Sequence, residues 1–201
     1  MNDAAVDARP GANEPLTEAS LVVAVEVLTS GNVDLRGIVD RFGPPPLWGR
    51  PQGYPTLVKI ILEQQVSLSS AQAAFDRLQL RLDPLTPAGF LKLTDAELLA
   101  IGFSRQKARY GRALAEAIVS GAVDLERLHG LDDRAVHEAL QAVPGIGPWT
   151  AGYVAMRVTR APDVLLTGDL ALRNGADRKS TRLNSSHWIT SRMPSDRKSV
   201  V

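Results

Sequence analysis

The chain has 201 residues, enough for one ordinary domain or two small helical lobes, and its 44% hydrophobic and 22% charged residues are a globular composition. It contains no cysteine, which excludes a disulfide framework, a cysteine-ligated zinc or iron–sulfur site and a thiol nucleophile. The formal net charge of +1 becomes −3 without residues 177–201, because that segment holds six of the 23 basic residues and two of the 22 acidic ones, so overall charge does not point to nucleic acid.

Residues 1–16 are rich in Ala, Asp, Asn, Pro and Gly, and we expect them to form a disordered leader. They carry acidic residues where a secretion signal would carry basic ones. No apolar run in the chain approaches the roughly 18 residues that a membrane helix needs. We therefore expect a cytoplasmic protein.

Helix start and stop signals follow one another from Thr17 onwards. Thr17 is predicted to cap the start of a first helix, which ends at Gly31. The valines of this segment also suit a strand. After a loop rich in Gly and Pro, helical spacing resumes at Thr56. No alternating strand pattern occurs later in the chain, so the sequence predicts an all-α protein of many short helices. Further helix starts are predicted at Ser67 or Ser69, Thr94, Ser104, Asp132 or Asp133, and Pro148.

The segment Leu140–Ala151, LQAVPGIGPWTA, joins two of these helices by a tight turn. Gly145 and Gly147 allow unusual backbone angles and flank Ile146, which can anchor the turn between the helices. The first N–H groups of a helix have no intrahelical acceptor, so the amides of Gly147 and of the next helix start can cradle a phosphate without a lysine. The alternative is a tight helix connection that binds no ligand.

The longer segment LQAVPGIGPWTAGYVAMR resembles the helix-hairpin-helix of the base-excision DNA glycosylase superfamily. The variant with a tryptophan directly after the hairpin resembles the alkyladenine (3-methyladenine DNA glycosylase II) type. The segments ILEQQVSLSSA at 61–71, GFSRQKA at 102–108 and DVLLTGDLALR at 163–173 agree with it. The resemblance implies two helical lobes with a DNA-facing cleft, and a monomer that acts on damaged double-stranded DNA at the nucleoid without a metal or cofactor. The hairpin residues implied to contact DNA are Gly145, Ile146, Gly147 and Thr150.

The resemblance places the catalytic aspartate of the family at Asp169. Release of a base from deoxyribose builds positive charge on the sugar, and a nearby carboxylate stabilises that charge. Asp169 also follows Gly168 and precedes an apolar helical pattern, so an ordinary helix N-cap is the alternative. The two roles are compatible.

Trp149 and Tyr153 are four residues apart and therefore share a helix face. The resemblance implies that they form a wall of the base pocket and stack on a cationic alkylated base, whereas two core aromatics are the alternative. Related glycosylases that also cut the strand carry a lysine where this chain has Trp149. We therefore expect a monofunctional enzyme that uses water as nucleophile and leaves an abasic site.

Two further pairs are candidates for DNA contact. Gln64 and Gln65 end an apolar helix, where a long amide can fill the gap left by a flipped nucleotide, and Gln65 is the better candidate. A polar, exposed helix end is the alternative. Arg105 and Lys107 begin a basic run that either contacts phosphates or is a solvated helix face.

Residues 177–201 show neither a helical nor a strand period, and the tetrapeptide Asp-Arg-Lys-Ser occurs at 177–180 and again at 196–199. This tetrapeptide matches the translation of sequencing-adapter DNA, so we interpret the segment as a non-native tail. A disordered basic tail that holds a polyanion is the alternative. On the first interpretation, the glycosylase domain comprises residues 17–176 and is incomplete at its C-terminus.

Together these features predict a monofunctional DNA glycosylase that hydrolyses the N-glycosidic bond of alkylated purines in duplex DNA. One alternative is a non-catalytic helix-hairpin-helix module that only holds DNA, and another is a glycosylase of the same fold for a different base lesion. A hairpin alone would suit an enzyme and a non-catalytic module equally well, whereas the presence of Asp169 together with Trp149 favours an enzyme.

Overall fold

The computed structural model describes residues 14–166 and 168–175, and all regular secondary structure within them is helical. The all-α prediction is therefore confirmed. A 3₁₀ turn (Arg127–Gly130) precedes α8, a π-helical turn (Ala155–Thr159) continues α9, and residues 170–175 are helical. The helices are α1 (Glu18–Gly31), α2 (Val33–Phe42), α3 (Tyr54–Glu63), α4 (Leu68–Arg81), α5 (Pro87–Leu91), α6 (Asp95–Ile101), α7 (Arg105–Val119), α8 (Asp133–Gln141) and α9 (Pro148–Val154).

The chain divides into two units, Met1–Leu165 and Leu166–Val201. The predicted leader, except for its last three residues, and the predicted non-native tail lie outside the described residues. Leu16 is described, and its N–H donates to the carbonyl of Arg160 at 2.7 Å. Within the described part of the chain, no helix is both long and apolar enough to cross a membrane.

Side-chain caps begin the helices where the sequence predicts them. At Thr94 the cap is reciprocal, because its hydroxyl accepts from the N–H of Glu97 while the Glu97 carboxylate accepts from the N–H of Thr94. That backbone hydrogen bond, together with Arg81, lowers the pKa of Glu97 to about 2, so the cap stays ionised above that pH. The capping side chains are Thr17, Ser67, Thr94, Ser104 and Asp132.

Three helices differ from the sequence predictions. The start of α2 was missed because Asn32 ends α1 and also caps α2, so no loop separates the two helices. Thr86 caps α5, which has five residues and is too short to show a helical period. The start of α3 is Tyr54 rather than Thr56, because Pro55 lies in the first turn, where its missing N–H leaves no hydrogen bond unmade.

The core of the first unit lies around α3, which packs against α4 and α7. Phe90 of α5 is fully buried between the rings of Tyr54 and Phe103, with centroid distances of 6.0 and 5.6 Å. The Tyr54 hydroxyl donates to the carbonyl of Gly111 in α7, and burial raises the pKa of Tyr54. This packing fixes the N-terminal end of α3 relative to α7, and both helices contribute to the site described below.

Gly111 provides a direct test of this packing. A Cβ atom on Gly111 would lie 2.7 Å from Cζ of Phe90, whereas a Cβ on Gly37 in α2 would meet nothing within 4 Å. We expect Gly111→Ala to lower the free energy of unfolding by about 1–3 kcal/mol through overpacking. Gly37→Ala should raise it by about 0.5–1 kcal/mol through helix propensity. Urea unfolding of both variants measures the difference, and equal stabilities would contradict the packing of Phe90 on α7.

Candidate nucleic-acid interface

The turn between α8 and α9 is anchored by apolar side chains on its inner side. Val143 and Ile146 are buried, and the N–H of Ile146 donates to the carbonyl of Val143 at 3.1 Å. Gly147 is the N-cap of α9, and its carbonyl accepts the first helical hydrogen bond, from Ala151, at 2.9 Å. Ile146 thus anchors the turn as the sequence predicts.

The two glycines of the turn have different roles, which corrects the prediction that both need unusual backbone angles. Gly145 has φ = 93°, and a Cβ there would overlap the ring of Tyr110. Gly147 has φ = −84° and ψ = 176°, an extended conformation that any residue adopts, and a Cβ there would meet nothing within 4 Å. Packing therefore requires a glycine at position 145, but nothing within the described structure requires one at position 147.

Gln64 connects the turn to the core. Its side-chain amide donates to the carbonyl of Gly145 at 3.1 Å and to the hydroxyl of Thr150 at 3.4 Å. Gln64 is also the residue at which α3 ends. Thr150, a predicted DNA contact, is buried, so its side chain serves this connection. Gln64 therefore braces the hairpin instead of projecting from it.

Gln65, the other predicted wedge, is exposed and has φ = 57°. A residue other than glycine seldom adopts this left-handed conformation, which costs of order 1–3 kcal/mol and is typical of functional sites. Its position directly after the braced Gln64 makes Gln65 the more suitable of the two to reach into a duplex.

The basic run on α7 is divided between structural and exposed positions. Lys107 donates to the carbonyl of Leu62 at 2.6 Å near the end of α3, and burial lowers the pKa of Lys107. This hydrogen bond engages the ammonium group of Lys107 within the protein. Arg105 is exposed and lines a groove between α6 and α7 that does not include the hairpin. The structure does not bring Arg105 and Lys107 to the hairpin surface.

Sequence analysis missed Tyr110, on which the hairpin rests. Tyr110 shares the hairpin-facing side of α7 with Gln106, whose amide donates to the Tyr110 hydroxyl at 2.7 Å. Tyr110 lies among basic residues rather than in an apolar stripe, which conceals it in the sequence. The related signal in the sequence is the glycine at position 145, which does not identify Tyr110 as the residue it packs against.

The aromatic residues of α9 share a face, as their spacing predicts, and the structure shows that their rings also stack on each other. The rings of Trp149 and Tyr153 are 5.2 Å apart between centroids and inclined by 18°. Trp149 is 39% exposed, which argues against the interpretation of both rings as core residues. The guanidinium groups of Arg50 and Arg157 lie over the Tyr153 ring, 5.3 and 5.6 Å from its centroid. Neither arginine was a sequence candidate.

An open pocket of about 950 Å³ connects these features within the first unit. The hairpin turn, the two glutamines at the end of α3, the Trp149–Tyr153 stack and both guanidinium groups line it. Among the described residues, no group of three or more His, Asp or Glu side chains is arranged to hold a metal ion.

Asp169 belongs to the second unit and caps the helical residues 170–175. Its carboxylate accepts from the N–H of Leu172 at 2.9 Å, and its carbonyl accepts from the N–H of Arg173 at 3.0 Å. The N-cap interpretation of Asp169 is therefore correct as far as local structure goes.

The family of the chain follows from comparison with known proteins. The model for the HhH-GPD superfamily base excision DNA repair protein matches residues 58–191. The chain belongs to this superfamily. The predicted family is therefore confirmed. The matched range extends into residues 177–191, and their interpretation as a non-native tail stays a prediction because they lie outside the described residues.

Relatives of this superfamily member share its fold over most of its length. The structure of DNA-3-methyladenine glycosidase from Bacillus halodurans is 31% identical, with a TM-score of 0.69 over 76% of this chain and 71% of that one. The Schizosaccharomyces pombe 3-methyladenine DNA glycosylase in complex with abasic DNA is 27% identical, with a TM-score of 0.70 over 80% and 81%.

The sequence matches cover different shares of this chain and of its relatives. DNA-3-methyladenine glycosylase 1 of Schizosaccharomyces pombe is 26% identical over 165 residues, which are 75% of this chain and 72% of that protein. DNA-3-methyladenine glycosylase 2 of Escherichia coli is 33% identical over 127 residues, 58% of this chain and 44% of that protein. The matches span 32% and 53% of two Bacillus subtilis relatives.

The different roles of the two hairpin glycines predict different effects on stability. We expect Gly145→Ala to lower the free energy of unfolding by at least about 1 kcal/mol, because the methyl group meets the Tyr110 ring at a positive φ. Gly147→Ala should leave the free energy of unfolding within about 0.5 kcal/mol of the parent. Denaturant titration of both variants checks this, and equal losses would contradict the geometry of the turn.

Proposed function

We propose that this protein hydrolyses the N-glycosidic bond of alkylated purines in duplex DNA. The observation that carries the proposal is the pocket at the hairpin, where an outward-facing helix start, the strained Gln65 and the exposed ring of Trp149 lie together. Relatives named as 3-methyladenine glycosylases support the same chemistry.

The hairpin would hold DNA through its phosphates. The N–H groups at the start of α9 point along the helix axis, and the bare Cα of Gly147 lets a phosphate approach closely. Such contacts fix the position of a duplex without reading its sequence, which suits an enzyme that must search all DNA. The protein would act as a monomer on chromosomal DNA in the cytoplasm, and Gln65 would occupy the gap left by a flipped nucleotide.

Asp169 would supply the negative charge for the reaction. As the bond between C1′ and the base breaks, positive charge develops on the sugar, and a fixed carboxylate stabilises that charge more strongly than bulk water does. The helix cap formed by Asp169 holds the carboxylate in one orientation, so the cap and the catalytic role support each other. Water would then add to C1′ and pass a proton to the carboxylate.

Trp149 stands where strand-cutting relatives carry an amine, so no Schiff base with the sugar forms there. The expected product is an intact strand with an abasic site. The exposed indole of Trp149 would instead stack on the flipped base.

Replacement of Asp169 tests the catalytic proposal. Asp169→Asn should reduce single-turnover excision of an alkylated purine by at least about 100-fold, because the amide lacks the charge that opposes the sugar cation. DNA affinity and thermal stability should stay near those of the parent, since asparagine caps helices as well as aspartate does. Excision is measured as strand breaks that appear only after alkali treatment.

Asp132→Asn is the matched control, because Asp132 caps α8 in the same way and α8 leads into the hairpin. This variant should excise at the parent rate. Removal of a charge-stabilising group should reduce the rate by more than about tenfold. Excision by Asp169→Asn at more than about a tenth of the parent rate would therefore contradict the assignment of Asp169 as the catalytic carboxylate. Strong DNA binding by the parent without any excision would favour the non-catalytic module.

The hairpin proposal has a separate test in Gly147→Val. The extended φ of Gly147 and the open space around it let the variant fold, while its side chain would occupy the place of a phosphate. We expect affinity to fall by a similar factor, about tenfold or more, for damaged and undamaged duplex, because phosphate contacts carry no base information. Fluorescence anisotropy with both duplexes measures it. Weaker discrimination at unchanged overall affinity would show that the turn contacts the base instead.

A further inference from the structure

The pocket beside Trp149 contains an ion pair in its wall. The carboxylate of Glu63 accepts from the guanidinium group of Arg50 at 2.9 Å, and 16% and 20% of the two side chains are exposed. The backbone N–H of Arg50 donates to the carbonyl of Arg157 at 2.7 Å, which connects the loop before α3 to the π-helical turn after α9. Among the described residues that line the pocket, Glu63 carries the only carboxylate.

Glu63 occupies a position that helix stability does not favour. It is the last residue of α3, and the C-terminal end of a helix carries partial negative charge, which repels a carboxylate. Lys107 of α7 meets this end of the helix, and its hydrogen bond goes to the carbonyl of Leu62. Burial of the ion pair compensates little, because desolvation of two charges offsets much of their attraction. A carboxylate at this position therefore suits a role in the pocket.

Positive charge collects on the aromatic surface where the base would stack. The Tyr153 ring stacks on Trp149, and the guanidinium groups of Arg50 and Arg157 lie 5.3 and 5.6 Å from its centroid. The guanidinium group of Arg157 also lies 5.5 Å from the centroid of Trp48. A positively charged base on this surface would meet two like charges, and the carboxylate of the ion pair offsets one of them.

We propose that the Glu63–Arg50 ion pair determines the charge selectivity of the pocket, and that the Glu63 carboxylate is the group that allows a cationic purine to stack on Trp149. The proposal rests on the proposed function and deepens it, because it names the residues that set the preference among alkylated purines. Loss of one negative charge raises the potential at the stacked base whatever the other charges sum to, so the sign of the effect does not depend on Arg157.

The ion pair can be broken from either side, which separates electrostatics from structure. Glu63→Gln and Arg50→Gln remove the same contact, so the loss of a structural support would act in the same direction in both variants. The two variants change the charge of the pocket wall in opposite directions. Charge selection therefore predicts opposite effects on the binding of a cationic base.

The test compares two duplexes that differ only in the charge of one base. One carries 7-methylguanine, which is cationic, and the other carries 7-methyl-7-deazaguanine, which is neutral and has the same shape. Both have a 2′-fluorinated sugar at the lesion, which resists cleavage. Fluorescence anisotropy at low ionic strength gives the ratio of the affinity for the cationic duplex to that for the neutral one.

We expect Glu63→Gln to lower this ratio at least about threefold and Arg50→Gln to raise it at least about threefold, as a unit charge near a partly buried site should do. Glu63→Asp should stay near the parent, because the charge remains. Thermal melting shows which variants fold. If only one of the two glutamine variants folds, the direction of its shift decides.

Glu138→Gln and Arg134→Gln are the matched controls, because they break an exposed ion pair of 2.8 Å on α8, outside the pocket lining. Both should leave the ratio at the parent value. Shifts in the same direction for Glu63→Gln and Arg50→Gln, or an unchanged ratio in either folded variant, would overturn the proposal.

Excision from an unfluorinated 7-methylguanine duplex separates this proposal from the proposed function. Opposite shifts of the ratio without any excision would uphold the charge selection and refute the proposed hydrolysis. Excision together with unchanged ratios would uphold the hydrolysis and overturn the role of the ion pair.

Discussion

The side-chain amide of Gln64 joins the end of the most buried helix to the hairpin through the Gly145 carbonyl and the Thr150 hydroxyl. Without this connection, the turn between α8 and α9 would be positioned by its apolar anchors, Val143 and Ile146, and by the contact of Gly145 with Tyr110. The same residue ends α3 and so determines where Gln65 leaves the helix. Phosphate binding at the turn and insertion beside it would therefore share one rigid support, which suits recognition that depends on close geometry.

Positive charge in this protein is placed locally, because the main body as a whole is slightly acidic. On α7, Lys107 and Arg112 donate to backbone carbonyls that end or connect other helices. These hydrogen bonds connect α7 to its neighbours. The cations that remain near the hairpin are Arg50 and Arg157, and these lie in the pocket wall. The charged groups of the pocket wall are thus two half-buried arginines and Glu63, which pairs with Arg50.

Local structure and proposed chemistry coincide at Asp169. A cap at the first turn of a helix holds one carboxylate oxygen. The proposed catalytic role would use a carboxylate that the cap already holds in place. Gly147 has no side chain and so leaves the start of α9 accessible, although its backbone conformation does not need a glycine.

The sequence alone determined the elements that depend on neighbours within one turn of helix: the caps at Thr17, Ser67 and Thr94, the anchor at Ile146 and the shared helix face of Trp149 and Tyr153. It also determined the family, because the hairpin motif is contiguous. The structure alone decided which side chains meet across the chain: Gln64 with Gly145, 81 residues apart, Lys107 with Leu62, 45 apart, and Arg157 with Trp48. No periodicity encodes such pairs, since helical spacing specifies the face on which a residue lies but not the partner it meets. That is why the hydrogen bonds of Gln64 and Lys107 within the protein could not be predicted from the sequence, and why Tyr110 and Arg157 emerge only when the helices are packed.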